Sequence, residues 1–167
     1  MVAGFGFRRG GKSAIDEPLS AEQVWSRLLA WQTRREHTQH ELKAKLSQLG
    51  VTSELAEQSL AKLVDYGLQD DDRCAEGIVR GQLQRGRGRR AIAQRLQQKG
   101  LAAEHPALDE QTENLDWVKE AATLLQRRFG DTPIDDPKAQ AKRVRFLQYR
   151  GFSLAQAIEA MKSLKSN

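Results

Sequence analysis

The chain is short of cysteine, of long apolar runs and of apolar residues altogether. Cys74 is its one cysteine, which excludes an internal disulfide framework and makes a reducing cytosol the expected compartment. Unbroken apolar runs extend only a few residues, against the ~20 that span a bilayer, so no transmembrane helix and no membrane partner are expected. Residues 1–13 hold glycines, basic residues and two phenylalanines, without the apolar stretch of a secretory signal. Hydrophobic residues make up 39% of the 167, below the globular norm of about 45–50%. Charged residues reach 29%. A thin core and a wet surface follow, which excludes a large doubly wound enzyme. The length suits one ordinary domain or an array of a few repeated units.

Catalytic constellations are missing as well. His37, His40 and His105 form no helical i, i+4 pair and have no cysteine pair beside them, so no metal site is expected. Cys74 sits on an apolar helical stripe, where a lone cysteine packs as a small core residue. Asp70, Asp71 and Asp72 read as helix N-capping acids at the positive end of a helix dipole. Neither a cofactor nor catalysis is expected, and the chain is read as a monomer.

The charge that is present is unevenly placed. Of the net +5, residues 68–101 supply most, with eight bases against four acids, whereas residues 20–67 hold six of each and residues 102–167 ten of each. Between Gly77 and Ala103 there is no acid, but there are seven bases: Arg80, Arg85, Arg87, Arg89, Arg90, Arg95 and Lys99. Six are arginines, whose planar fork grips phosphate or carboxylate in a bidentate way. The segment is either a solvated helix face or a patch for nucleic acid or an acidic protein surface.

A period of about fifty residues organises the chain. Gly50, Gly100 and Gly151 each follow a leucine by four residues (Leu46, Leu96 and Leu147), and each is followed at once by an apolar residue, Val51, Leu101 or Phe152. This is the pattern of a helix closed by a left-handed glycine, with the next residue folded back onto the helix. Each period holds three helical stretches. In the first, Ser20–Thr33 places Val24, Leu28 and Trp31 on one stripe. Thr38 and Glu41 make a capping box ahead of Leu42, Leu46 and Leu49, and residues 53–66 bury Leu55, Leu60, Leu63 and Val64. In the second, residues 70–84, 88–99 and 103–113 follow, and Pro106 must fall in the first turn of the last. In the third, Trp117 to Phe129 is closed by Gly130. Asp136-Pro137 opens another helix, and Ser153 with Gln156 opens the final one, with Leu154, Ile158, Met161 and Leu164 inward. No stretch alternates as a strand does. The expected fold is all-α: three tandem three-helix repeats in an elongated, curved stack. The divisions are a flexible arm over 1–19, then repeats over 20–67, 68–113 and 114–167.

Two phosphate-loop patterns occur outside the context that gives them meaning. Gly6 to Ser13 matches G-x-x-x-x-G-K-S with Lys12 in place, but too few residues precede it for the buried strand such a loop needs. Gly86, Gly88 and Ala91 match G-x-G-x-x-A, again without a preceding strand, and read as the turn between two helices.

Four blocks carry a resemblance to a known family. Arg34 to Leu46 resembles the first-repeat signature of the RecX regulatory proteins. Gly67 to Ala75 resembles that family's next segment, with Cys74 where a phenylalanine is usual. Arg85 to Gly88, followed by Ile92, Leu96 and Lys99-Gly100-Leu101, is similar to its central block, and Arg145 to Phe152 to its C-terminal block. The likeness runs in order from about residue 20 to 165; the glycine-rich arm has no counterpart. The resemblance implies a modulator of the RecA recombinase, active in DNA recombination, repair and the SOS response. Such a protein binds the RecA–single-stranded DNA filament along its groove and inhibits ATP hydrolysis and strand exchange. On that footing Arg80 to Lys99 are expected to meet DNA phosphates or acidic filament surface. The alternative is a stand-alone helical DNA-binding regulator, since helix, glycine turn and helix recur; against it, the helices after Gly50 and Gly151 are not basic.

Overall fold

In the computed structural model, residues 18–130 and 136–165 are described. The proposed arm over 1–19 and the Gly6–Ser13 pattern therefore fall almost wholly outside them. Nine α-helices and no strands make up the described residues: α1 (Ala21–Arg34), α2 (Gln39–Gln48), α3 (Ser53–Asp65), α4 (Asp71–Gln84), α5 (Arg89–Gln98), α6 (Pro106–Thr112), α7 (Trp117–Phe129), α8 (Pro137–Tyr149) and α9 (Leu154–Lys165).

Local chemistry accounts for most of their boundaries. Ser20 and Thr38 close reciprocal capping boxes with Gln23 and Glu41. Ser153 does the same with Gln156, each accepting from the other's backbone N–H. Asp70, Asp116 and Asp136 accept two first-turn amides apiece at the starts of α4, α7 and α8. Pro106 takes the first position of α6, where its missing N–H costs nothing, and His105 caps that helix. This shortens α6 to seven residues, inside the stretch expected over 103–113. Gly86 lies in the short turn between α4 and α5, as its surroundings imply.

The three helix ends at the repeated glycines are alike. Gly50, Gly100 and Gly151 have φ of 74°, 78° and 96°. The N–H groups of Val51, Leu101 and Phe152 donate to the carbonyls of Leu46, Leu96 and Leu147 at 3.1, 3.0 and 3.0 Å, and the glycine N–H groups donate to Ser47, Gln97 and Gln148. That pair of bonds satisfies carbonyls that a helix end otherwise leaves unpaired.

Each set of three helices closes around its own core. Val24, Leu28, Leu42, Leu46, Leu60 and Leu63 form the first. Ala75, Val79, Ile92, Leu96 and Leu108 form the second. Leu125, Leu147, Phe152, Ala157, Ala160 and Met161 form the third. Trp117 packs against both the second and the third, its ring edge-on to Phe152 at 6.2 Å. Four expected core residues are instead substantially exposed: Leu49 at the end of α2, Val64 late in α3, and Leu154 and Ile158 on α9. In α9 the stripe that faces inward is Ala157, Ala160 and Met161. Small residues there bring α9 close to α7, and the branched residues fall on the outer side.

The units interlock by a repeated device: the start of one unit's second helix abuts the glycine turn of the next unit. Thr38 Oγ donates to the Lys99 carbonyl at 2.6 Å, and a side chain at Gly100 would run into His40. At the next junction the Gly88 N–H donates to the Arg150 carbonyl at 2.9 Å and the Arg90 N–H to that of Gly151 at 3.2 Å. There Gly88 and Gly151 meet backbone to backbone, a Cβ at Gly88 falling 2.5 Å from the Gly151 carbonyl carbon.

Candidate functional site

The basic residues of the middle unit divide into three groups. Arg89 is committed within its own unit, bonded to Asp109 at 2.6 Å and Glu104 at 3.2 Å. Lys99 is committed across a junction, paired with Glu41 of the first unit. Arg95 bonds only its neighbour Gln98. Arg80, Arg85, Arg87 and Arg90 have no ion-pair or side-chain hydrogen-bond partner among the described residues, and Arg80, Arg85 and Arg90 are exposed. The seven positions read as one patch in the sequence are thus two structural cations, one locally bonded arginine and four unpaired ones.

Four of these side chains, Arg80, Arg85, Arg95 and Lys99, line one open groove of about 650 Å³ between the first and second units. Arg80 and Arg85 come from α4 and its C-terminal end, and Arg95 from α5. The α1–α2 connection and the start of α4 add Arg35 and Arg73, which the charge count over 68–101 did not single out as a site. Glu36 and Glu41 are the carboxylates of the same walls. Glu36 pairs with Arg73, and Glu41 with Arg35 at 2.9 Å and with Lys99. Burial alone would push the Glu41 carboxyl up. The hydrogen bonds it accepts from Arg35, Lys99 and the Thr38 backbone outweigh this and bring it from 4.5 down to about 2. Glu41 therefore stays ionised and ties three helix ends together.

Cys74 lies on the groove wall, buried, with Sγ 3.7 Å from Glu36. Burial and then the Glu36 charge push its thiol up to about 12, so it is a neutral packing group, without the thiolate a nucleophile needs. His37 is buried and held under its usual value, first by burial and then by the Arg35 charge. The three aspartates hold one another's surroundings in place. Asp70 caps α4, Asp71 accepts from the Gln39 N–H and the Gln69 amide, and Asp72 meets His105 at 3.2 Å. Among the described residues, no group of three or more His, Cys, Asp and Glu side chains is arranged to hold a metal ion, and no helix is long and apolar enough to cross a membrane.

A second locus lies at the junction of the second and third units. The Arg150 guanidinium donates to the carbonyls of Arg85 and Gly86 and lies over the Phe146 ring at 6.0 Å. Here no carboxylate takes part. Sequence reasoning placed Arg150 in a family-like block but not in the patch, because 65 residues separate it from Arg85, whose carbonyl it bonds.

Helical units joined end to end, with a mixed-charge groove at one junction and bare arginines at the other, define a helical-repeat protein with basic surface at its unit junctions. The comparisons narrow the class. Residues 70–105 match the second three-helix domain of RecX, and residues 116–161 the third. The regulatory protein RecX of Acinetobacter baylyi is 35% identical over 136 residues, covering 81% of this chain and 84% of that protein. That of Chromohalobacter salexigens is 39% identical over 135 residues, covering 81% and 86%. The crystal structure of RecX from Lactobacillus salivarius superposes with a TM-score of 0.71 at 21% identity, over 88% of this chain and 97% of that one. The chain belongs to the RecX family of regulatory proteins.

Proposed function

We propose that this chain is a cytoplasmic, non-enzymatic, monomeric regulator that binds the RecA–single-stranded DNA filament along its groove and inhibits ATP hydrolysis and strand exchange, acting in recombination, repair and the SOS response. Its working body is the stack over 20–67, 68–113 and 114–167. The observation that carries the reading is the set of unpaired arginines, Arg80, Arg85, Arg87 and Arg90, on the middle unit of a repeat array. A repeat stack presents a long surface suited to tracking a filament groove. Arginines that the fold does not consume are free to hold phosphate or carboxylate. Arg89 and Lys99 serve a different end, fastening the units to which they are paired.

The test is filament ATPase and strand exchange with Arg80, Arg85, Arg87 and Arg90 changed to Ala, leaving Arg89 and Lys99 in place. Inhibition is expected to weaken strongly while the thermal midpoint stays near that of the parent. Full inhibition by the quadruple variant would remove the patch as the contact surface. Affinity for bare DNA beside affinity for filaments, measured across salt, separates this reading from a stand-alone DNA-binding regulator. Binding to DNA alone that matches filament binding at every salt concentration would favour the latter.

A further inference from the structure

The two inter-unit junctions are copies of one another in which the charges have diverged. Counting back from the glycine turns, Glu36 of the first unit corresponds to Gly86 of the second, and Glu41 to Ala91. His37, which is buried, corresponds to Arg87, which is half-buried, and Lys99 of the second unit corresponds to Arg150 of the third. At the first junction both acids are present and both are spent, Glu36 on Arg73 and Glu41 on Arg35 and Lys99. At the second junction both acids are gone. Three arginines remain there, Arg87, Arg90 and Arg150, with no carboxylate of the described residues in ion-pairing reach; Arg85 contributes its carbonyl, its side chain lining the first groove.

Arg150 is held in place by this junction. Its Nε–H donates to the Gly86 carbonyl at 3.3 Å and one terminal nitrogen to that of Arg85. A guanidinium has five N–H donors, so these bonds leave three unengaged. Arg87 sits between Gly86, which accepts from Arg150, and Gly88, whose N–H donates to the Arg150 carbonyl. The Arg87 charge acts unfavourably on the Arg150 guanidinium, second only to burial, and it is opposed by Tyr149 and by no carboxylate. Two cations kept together without a counter-charge are an arrangement that an anion relieves. Tyr149, next to Arg150 in the chain, is 80% exposed, the most open large hydrophobic side chain among the described residues. An exposed aromatic ring beside unpaired arginines fits a base and its phosphate. An acidic protein surface would use the arginines and leave the ring idle.

We infer that the junction of the second and third units is a single-stranded nucleic-acid site, in which Arg87 and Arg150 hold a backbone phosphate and Tyr149 stacks on the adjoining base. The inference rests on the proposed function and deepens it, since it assigns the nucleic-acid contact to this junction and not to the larger groove between the first and second units.

The test uses the full chain and a short fluorescein-labelled oligothymidylate, read by fluorescence anisotropy across salt. Arg87→Ala removes no side-chain hydrogen bond or ion pair among the described residues. It is expected to weaken binding and to lower the slope of log affinity against log salt by about 1. Tyr149→Ala is expected to lose about tenfold or more, and Tyr149→Phe to retain the parent affinity, because stacking needs the ring and not the hydroxyl. Arg27→Ala, an exposed arginine of α1 outside the groove, is expected to change little. The site is overturned if Arg87→Ala and Tyr149→Ala bind as the parent does, if Arg27→Ala loses as much as they do, or if the parent does not bind the oligonucleotide. It is also overturned if polyglutamate displaces the oligonucleotide from the parent and from Tyr149→Ala equally, which would mark an acidic protein surface. Inhibition of the filament is measured in parallel with the same variants. A parent that inhibits the filament while the oligonucleotide results fail removes this site alone, and a parent without effect on the filament removes the proposed function.

Discussion

Glu41 concentrates more of the first junction on one side chain than any other residue does. It completes the capping box of α2, pairs with Arg35 on the preceding connection and pairs with Lys99 across to the second unit. Its carboxyl sits near 2 when folded against an ordinary 4.5. Its bonds therefore stabilise the fold fully above about pH 4.5 and are lost as pH falls toward 2. Glu41→Gln is expected to be less stable at neutral pH and to lose less on acidification. Urea midpoints measured at pH 7 and pH 3 would show the gap between parent and variant narrowing. Cys74 makes the opposite kind of prediction. Buried and pushed up to about 12, it is expected to stay unreactive toward a thiol-specific disulfide reagent at neutral pH, and to react at once when the chain is unfolded. Rapid labelling of the native chain would contradict its place in the core.

At the scale of the element, the caps and glycine turns that were readable in advance are those whose partners lie within four residues. Thr38, Asp136 and Ser153 bond groups that their own local sequence supplies, so residue type and spacing suffice. What lay beyond local reasoning was which face a helix turns outward. Leu154 and Ile158 continue the apolar stripe of α9 on paper, but the close approach of α7 selects Ala157 and Ala160 instead. The start of α5 shows how far neighbours override a propensity. Gly88 is an N-cap without a side-chain bond, and serine there would ordinarily add roughly a few tenths of a kcal/mol to helix stability. Gly151 is already in contact with that position. Gly88→Ser is expected to lower the thermal midpoint, and a gain in stability would show that the junction yields more easily than its geometry implies. The same logic separates the three turn glycines. Gly50→Ala meets open space and is expected to cost only the left-handed backbone, about 1–2 kcal/mol. Gly100→Ala must also displace His40 and Gly151→Ala must displace Ala91, so both are expected to lose more. Urea unfolding of the three variants ranks them directly.

For the whole molecule, the charge segregation visible in the sequence was sound as a count and incomplete as a surface. Seven bases in an acid-free stretch do not reveal that Arg89 reaches forward to Asp109 or that Lys99 reaches back 58 residues to Glu41. Only the stacking of units sets these pairs. The repeat period and the class of fold were legible because the glycine turn recurs intact, whereas the site was legible only in part because it is made where units meet. Trp117 is the side chain shared by two cores. Trp117→Ala is expected to cost about 3 kcal/mol and to separate the unfolding of the third unit from that of the second. Urea unfolding would then show two transitions where the parent shows one.

The step between the second and third units is set where Gly88 touches Gly151, main chain against main chain. No side chain intervenes whose length or rotamer could vary. The distance from one unit to the next is therefore a property of the peptide backbone itself. It behaves as the fixed graduation of a ruler, and substitutions elsewhere on the surface can change the chemistry each unit presents without changing the spacing at which it is presented.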